Sequence, residues 1–209
     1  ISSGYNNVVL GVEAGMALTT GHNNTLIGKG AGDVLTIGNY NNLIGVNAGG
    51  AITEALYNVA IGYQALYTNV DGDGNTAIGY GALYTLEPTN GAGYNTAVGM
   101  QAGRQATTGT GNVFMGYNAA KNITDTVDQV IIGKQAGEDN NENYNVFIGS
   151  EAALNATGVG NSVVIGRQAL GGAAADGDNN VAVGYHAGYS ATTGNGNVFM
   201  GAGAGHGAT

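Results

Sequence analysis

The chain has 209 residues, 40 of them glycine, with one proline, no cysteine, no tryptophan and a net charge of −9. The glycines do not recur at every third position, which excludes collagen, and 43% apolar against 9% charged residues excludes an unfolded polyelectrolyte. Five basic residues exclude a nucleic-acid partner, whose phosphates need clustered Lys and Arg.

The opening, Ile1-Ser2-Ser3-Gly4, has neither the basic region nor the apolar core of a signal peptide. No run approaches the roughly 20 apolar residues that cross a bilayer. A soluble chain without membrane insertion is therefore expected. The lack of cysteine means that no disulfide staples it, and leaves the redox compartment open.

Taken along the chain, one motif, Asn-x-x-Ile-Gly-x-x-Ala, returns twelve times. Its glycine falls at Gly11, Gly28, Gly45, Gly62, Gly79, Gly99, Gly116, Gly133, Gly149, Gly166, Gly184 and Gly201. Successive glycines are 16 to 20 residues apart, most often 17. A period of this length marks a solenoid, in which each unit buries itself against its neighbours. Residues 1–209 are thus read as a single all-β repeat domain, a parallel β-solenoid (β-roll) of about twelve short rungs. At an inter-strand spacing of about 4.8 Å the rungs stack to roughly 55 Å.

Each position in the unit has its own chemistry. Asparagine stands four places before the glycine in ten copies: Asn7, Asn24, Asn41, Asn58, Asn75, Asn95, Asn112, Asn145, Asn180 and Asn197. Gln129 and Ser162 replace it in the other two. Stacked rung on rung, these side chains are expected to form a ladder, bonding each other or the turn backbone. The three residues before the glycine, such as Val59-Ala60-Ile61 and Val163-Val164-Ile165, read as a short strand. After the glycine, Tyr63-Gln64-Ala65-Leu66 and its equivalents read as a second extended piece. Alanine stands three places after every glycine, at a site that admits only a methyl group.

Alternation along the strand sends its middle residue to one side and its two outer residues to the other. Both sets are predominantly apolar, so both faces ask for a cover, from the coil's own far wall or from another chain. All five basic residues fall one or five places after a glycine, positions that must face solvent. The tyrosine pairs Tyr63/Tyr67, Tyr80/Tyr84 and Tyr185/Tyr189 occupy the same two positions. Those on the fourth and fifth rungs are expected to stack on an outer face, and all six are the candidate glycan or contact surface.

Other chemistry finds little footing. His22, His186 and His206 lie on distant rungs without acidic or nucleophilic companions, so no triad or zinc cluster assembles, and an enzyme is not expected. His186 replaces the glutamine or asparagine of other copies and reads as one member of a polar column. Asp71-Gly72-Asp73-Gly74-Asn75 resembles the opening of a calcium loop, with Asp71, Asp73 and Asn75 as candidate ligands. Ala82 stands where such a loop places its bidentate glutamate, so an acidic turn is preferred and no cofactor other than calcium comes into question. Glycosylation triplets at Asn23, Asn122 and Asn155 carry little weight in so asparagine-rich a chain. The threonines at Thr25, Thr76 and Thr96 are too few for an ice-binding array.

The runs Asn161-Ser162-Val163-Val164-Ile165-Gly166 and Asn180-Val181-Ala182-Val183-Gly184 resemble the Asn-Ser-Val-Ala-Ile-Gly repeat of trimeric autotransporter adhesin heads. Gly74-Asn75-Thr76-Ala77-Ile78-Gly79-Tyr80-Gly81-Ala82-Leu83 is similar to repeats of bacterial and phage tail-fibre-like proteins. The resemblance spans nearly the whole chain. It implies a left-handed parallel β-roll, three chains packed around an axis, and an extracellular place on a cell-surface filament or a virion fibre.

Two functions follow as expectations. The first is a structural subunit of a fibre or shaft, with itself as partner through lateral trimerisation or head-to-tail stacking. The spacing from Gly201 to Gly11 of a following copy, nineteen residues, falls within the range seen inside the chain. The alternative is an adhesin head or tail-fibre module that binds a host-surface glycan or receptor.

Overall fold

A computed structural model describes residues 3–88, 91–172 and 175–207. Twelve strands of three residues follow one another: β1 (Val8–Leu10), β2 (Thr25–Ile27), β3 (Asn42–Ile44), β4 (Val59–Ile61), β5 (Thr76–Ile78), β6 (Thr96–Val98), β7 (Val113–Met115), β8 (Val130–Ile132), β9 (Val146–Ile148), β10 (Val163–Ile165), β11 (Val181–Val183) and β12 (Val198–Met200). They form one parallel sheet in chain order, each strand hydrogen-bonded to the next. Equivalent positions pair, Ala60 with Ala77 and Phe114 with Ile131, so the sequence register is the spatial register. No helix occurs among the described residues. The architecture is the expected all-β parallel solenoid.

Beyond the strand the chain differs from expectation. The segment after the glycine is a pair of linked turns, not a second extended piece. Residues two and four places after the glycine take positive φ in every rung, as at Gln64 (52°) and Leu66 (54°). The Gln64 N–H donates back to Val46 of the preceding rung, while the Leu66 N–H donates forward to Ala82 of the next. Left-handed residues cost roughly 1–2 kcal/mol each outside glycine. Here each one satisfies a backbone group against a neighbouring rung, which a straight strand turning the same corner would leave unpaired.

The motif glycine has a steric reason. At Gly62, with φ of 136°, a Cβ would lie 2.6 Å from the carbonyl oxygen of Gly79 one rung on. Two rungs approach backbone to backbone at this corner, and a methyl group has no room.

The core is three columns deep. Strand-centre residues such as Leu26, Ala60, Phe114 and Val164 are fully buried. So are the motif alanines from Ala31 to Ala187, and Leu35, Ile52, Leu86 and Ile123 close the far wall. Volume is exchanged between columns. The large centres Leu26 and Leu43 face Gly15 and Gly32, where a Cβ would meet their side chains below 3.0 Å. The small centres Ala60 and Ala77 come in rungs that carry Leu66 and Leu83 at the same turn position, both buried. Where strand centre and turn position are both small, as at Ala97 and Gly103, Leu83 and Phe114 from the adjoining rungs fill the space, as close packing demands.

Candidate functional site

The strand faces settle which half of the apolar pattern is inside. The middle residues from Leu26 to Ala182 are buried by the coil's own far wall. The flanking residues point outward, and on the inner rungs most of them are half-buried. Ile61 is 36% and Met115 41% exposed, and at the end rungs Leu10 and Met200 reach 67% and 69%. The result is an outer sheet face twelve strands long, lined by Val, Ile and Met with Thr25, Asn42, Thr76 and Thr96 among them.

The asparagine ladder runs without a gap. Asn58 Oδ1 accepts the Asn75 N–H at 2.9 Å and the Asn75 Nδ2 at 3.2 Å, while Asn58 Nδ2 donates to Gly72 O at 2.8 Å. Both expected partners, amide and turn backbone, are used together. The two substitutions keep the chain of bonds intact. Gln129 Oε1 accepts the Asn145 N–H at 3.2 Å, and Ser162 Oγ accepts the Asn180 N–H at 3.0 Å. All the ladder asparagines from Asn24 to Asn180 are buried.

Tyr63 stacks on Tyr80 with ring centroids 5.4 Å apart and planes 7° from parallel, and Tyr67 on Tyr84 at 5.2 Å and 17°. The second stack is closed at its ends: the Arg104 guanidinium covers Tyr84, and Tyr67 lies over Gly50, where a Cβ would meet its ring at 2.8 Å. Tyr189 lies over Gly172 in the same way. It also stacks on His206 at 5.4 Å and on His186 at 4.4 Å, and His186 stacks on Tyr185 at 3.9 Å.

Sequence reasoning missed a further column. Tyr5, His22, Tyr40 and Tyr57 stand on four successive rungs, with Tyr40 and Tyr57 5.0 Å apart and 9° from parallel. Its signal is an aromatic residue every 17 or 18 positions, just outside the motif counted from asparagine to alanine. A threonine column was missed for the same reason. The Thr19 hydroxyl donates to the Thr36 carbonyl at 3.0 Å and the Thr36 hydroxyl to the Thr53 carbonyl at 3.1 Å, each one rung on.

The polar column two places after the glycine holds His186, whose Nε2 lies 2.6 Å from Gln168 Oε1. Gln168 Nε2 donates to Glu151 at 2.7 Å, and Lys134 pairs with Glu151 at 3.8 Å. His186 is thus a member of a side-chain relay four rungs long.

The residues of the calcium-loop motif go three separate ways. Asn75 is inside the ladder, both ends of its amide engaged. Asp73 Oδ1 accepts the Leu56 N–H at 2.6 Å. Asp71 lies beside Glu87, whose Oε2 accepts the Val70 N–H at 2.6 Å. Burial raises the Glu87 carboxyl above its ordinary value; the Val70 N–H opposes this, and the neighbouring Asp71 adds to it. Among the described residues no three His, Cys, Asp or Glu side chains gather as metal ligands. A polar cleft of about 320 Å³ near Glu142, Asp176, Asp178 and Asn195 is already used by the backbone. Asp178 Oδ1 accepts the Gly160 N–H there, and Asn195 Oδ1 the Asp178 N–H.

Among the described residues the ladder, the aromatic columns and the polar column all join one rung to the next, and the outer sheet face carries exposed apolar side chains such as Ile61 and Met115. Comparison with protein-family models, with curated proteins and with solved structures found no match for the chain.

Proposed function

We propose that this chain is a structural rod, the subunit of an extracellular fibre or shaft, with no catalytic role. Its copies pack laterally through the outer face of β1 to β12, in threes as the family resemblance implies, and stack end to end. The observation that carries the reading is the outward Val, Ile and Met face, which runs the length of the sheet. Monomeric soluble proteins rarely leave so extended an apolar surface in water. Each strand pairs in parallel with the next at equivalent positions, a register that a rung from a second copy can continue.

The alternative, a glycan-binding head, draws on the tyrosines. Sugar stacking needs a free ring face, and at Tyr63/Tyr80 and Tyr67/Tyr84 the facing sides of the rings are taken by each other. That favours the rod.

Sedimentation of the full chain tests the lateral contact, with a Val113→Lys, Val146→Lys double variant as comparison. The expected result is a trimeric mass for the parent and a monomeric one for the variant, with unchanged circular dichroism. A parent that stays monomeric at high concentration overturns the lateral contact. Negative-stain images showing only discrete short rods overturn the end-to-end contact.

A further inference from the structure

The aromatic columns hold phenols at a spacing that the fold, not diffusion, sets. Tyr40 and Tyr57 are 5.0 Å apart, Tyr63 and Tyr80 5.4 Å, and Tyr67 and Tyr84 5.2 Å, all within 17° of parallel. Tyr40, Tyr57, Tyr63 and Tyr80 are each more than two-fifths exposed. In contrast, Tyr94, Tyr117 and Tyr144 stack on no other ring among the described residues.

We propose that these in-register tyrosine pairs are sites of oxidative cross-linking, in which a peroxide joins neighbouring rungs through dityrosine bonds. Two phenols held side by side have a very high effective concentration toward each other. An oxidant removes one electron and one proton from each phenol O–H. The two phenoxyl radicals couple through ring carbons ortho to oxygen, forming one C–C bond. The two displaced ring hydrogens then move to the phenolic oxygens and restore aromaticity. The balance is two tyrosines and one hydrogen peroxide giving one dityrosine and two waters.

Exposed rings on a turn can rotate about χ1 and χ2 to bring their edges together, since their backbones are separated by a single inter-strand spacing of about 4.8 Å. The rungs of β3, β4 and β5 would then be joined in succession, Tyr40 to Tyr57 and Tyr63 to Tyr80. Tyr67 to Tyr84 adds a second link between the latter two. A rod with no cysteine gains covalent staples by this route. The proposal is independent of lateral or end-to-end assembly.

The experiment treats the full chain, at low concentration, with hydrogen peroxide and a haem peroxidase. The expected product runs as a single chain, shows the blue emission of dityrosine, has lost two hydrogens per link, and yields peptides joining Tyr40 to Tyr57 and Tyr63 to Tyr80. A Tyr57→Phe, Tyr80→Phe, Tyr84→Phe variant keeps rings that stack but lacks the phenols. It should lose the intrachain emission while its circular dichroism stays unchanged. Absence of emission from the parent, emission undiminished in the variant, or links confined to Tyr94, Tyr117 and Tyr144 overturns the proposal.

Discussion

At the scale of single residues, Glu87 shows how a connecting segment adapts to its neighbours. Its carboxylate supplies an acceptor for Val70 of the preceding rung, but burial and Asp71 penalise the charge. A carboxyl raised in the folded state binds its proton more tightly there than in the unfolded chain. Its contribution therefore favours folding at acidic pH and is lost as pH rises through the folded-state value. Glu87→Gln keeps an oxygen for the Val70 N–H and removes the charge. The variant should melt at a higher temperature than the parent near pH 7, with the gap closing as pH falls toward the ordinary carboxylate range; thermal melts across that span check it. A gap that widens on acidification would show the carboxylate to be stabilising.

At the scale of the repeated element, the asparagine ladder is what holds each strand to its corner. Replacing Asn58 with alanine strands the Asn75 N–H in a buried site, while the Gly72 carbonyl keeps Asn69 Nδ2 as a donor at 2.9 Å. At about 1–3 kcal/mol per unsatisfied buried group, the loss should be about 2 kcal/mol. Serine at the same position should cost clearly less, because Ser162 already accepts the equivalent N–H. Urea unfolding of the two variants decides the order. The ladder, the strands and the motif glycines were legible because each sits at a fixed distance from one invariant residue. The segment after the glycine was not. Leu66 and Leu83 are ordinary strand or helix residues by composition, and nothing in their identity announces the positive φ that the hydrogen bonds of adjacent rungs impose. The Tyr5–His22–Tyr40–Tyr57 column was obscured because its register shifts by one residue between His22 and Tyr40. The calcium-like motif of Asp71, Asp73 and Asn75 shows the converse error: a spacing meaningful in a flexible loop loses that meaning when the rung places each residue in a separate column.

At the scale of the whole molecule, contacts run only between adjacent rungs, so stability is close to a sum of rung and neighbour terms. The end rungs have one neighbour in this chain, and their strand side chains Val8, Leu10, Val198 and Met200 are the most open apolar ones of the sheet. Amide hydrogen exchange of dilute chains should be fastest at β1 and β12 and slowest in β5 to β8. Uniform protection would mean that the ends are covered by other copies even at low concentration.

The ladder has one more consequence. Strand N–H groups point both ways along the rod: Val59 donates to the rung ahead and Gly62 to the rung behind. The ladder residues' own N–H groups point only one way, from Asn24 to Asn7 and on through Asn197 to Asn180. Backbone dipoles largely cancel, but this row does not. The rod is therefore vectorial, with a donor-facing and an acceptor-facing end that differ in chemistry as well as in sequence. Two copies meeting at like ends would set oxygen against oxygen or N–H against N–H. Within the ladder row only unlike ends match, so a polymer that continued this row would have all its chains pointing the same way.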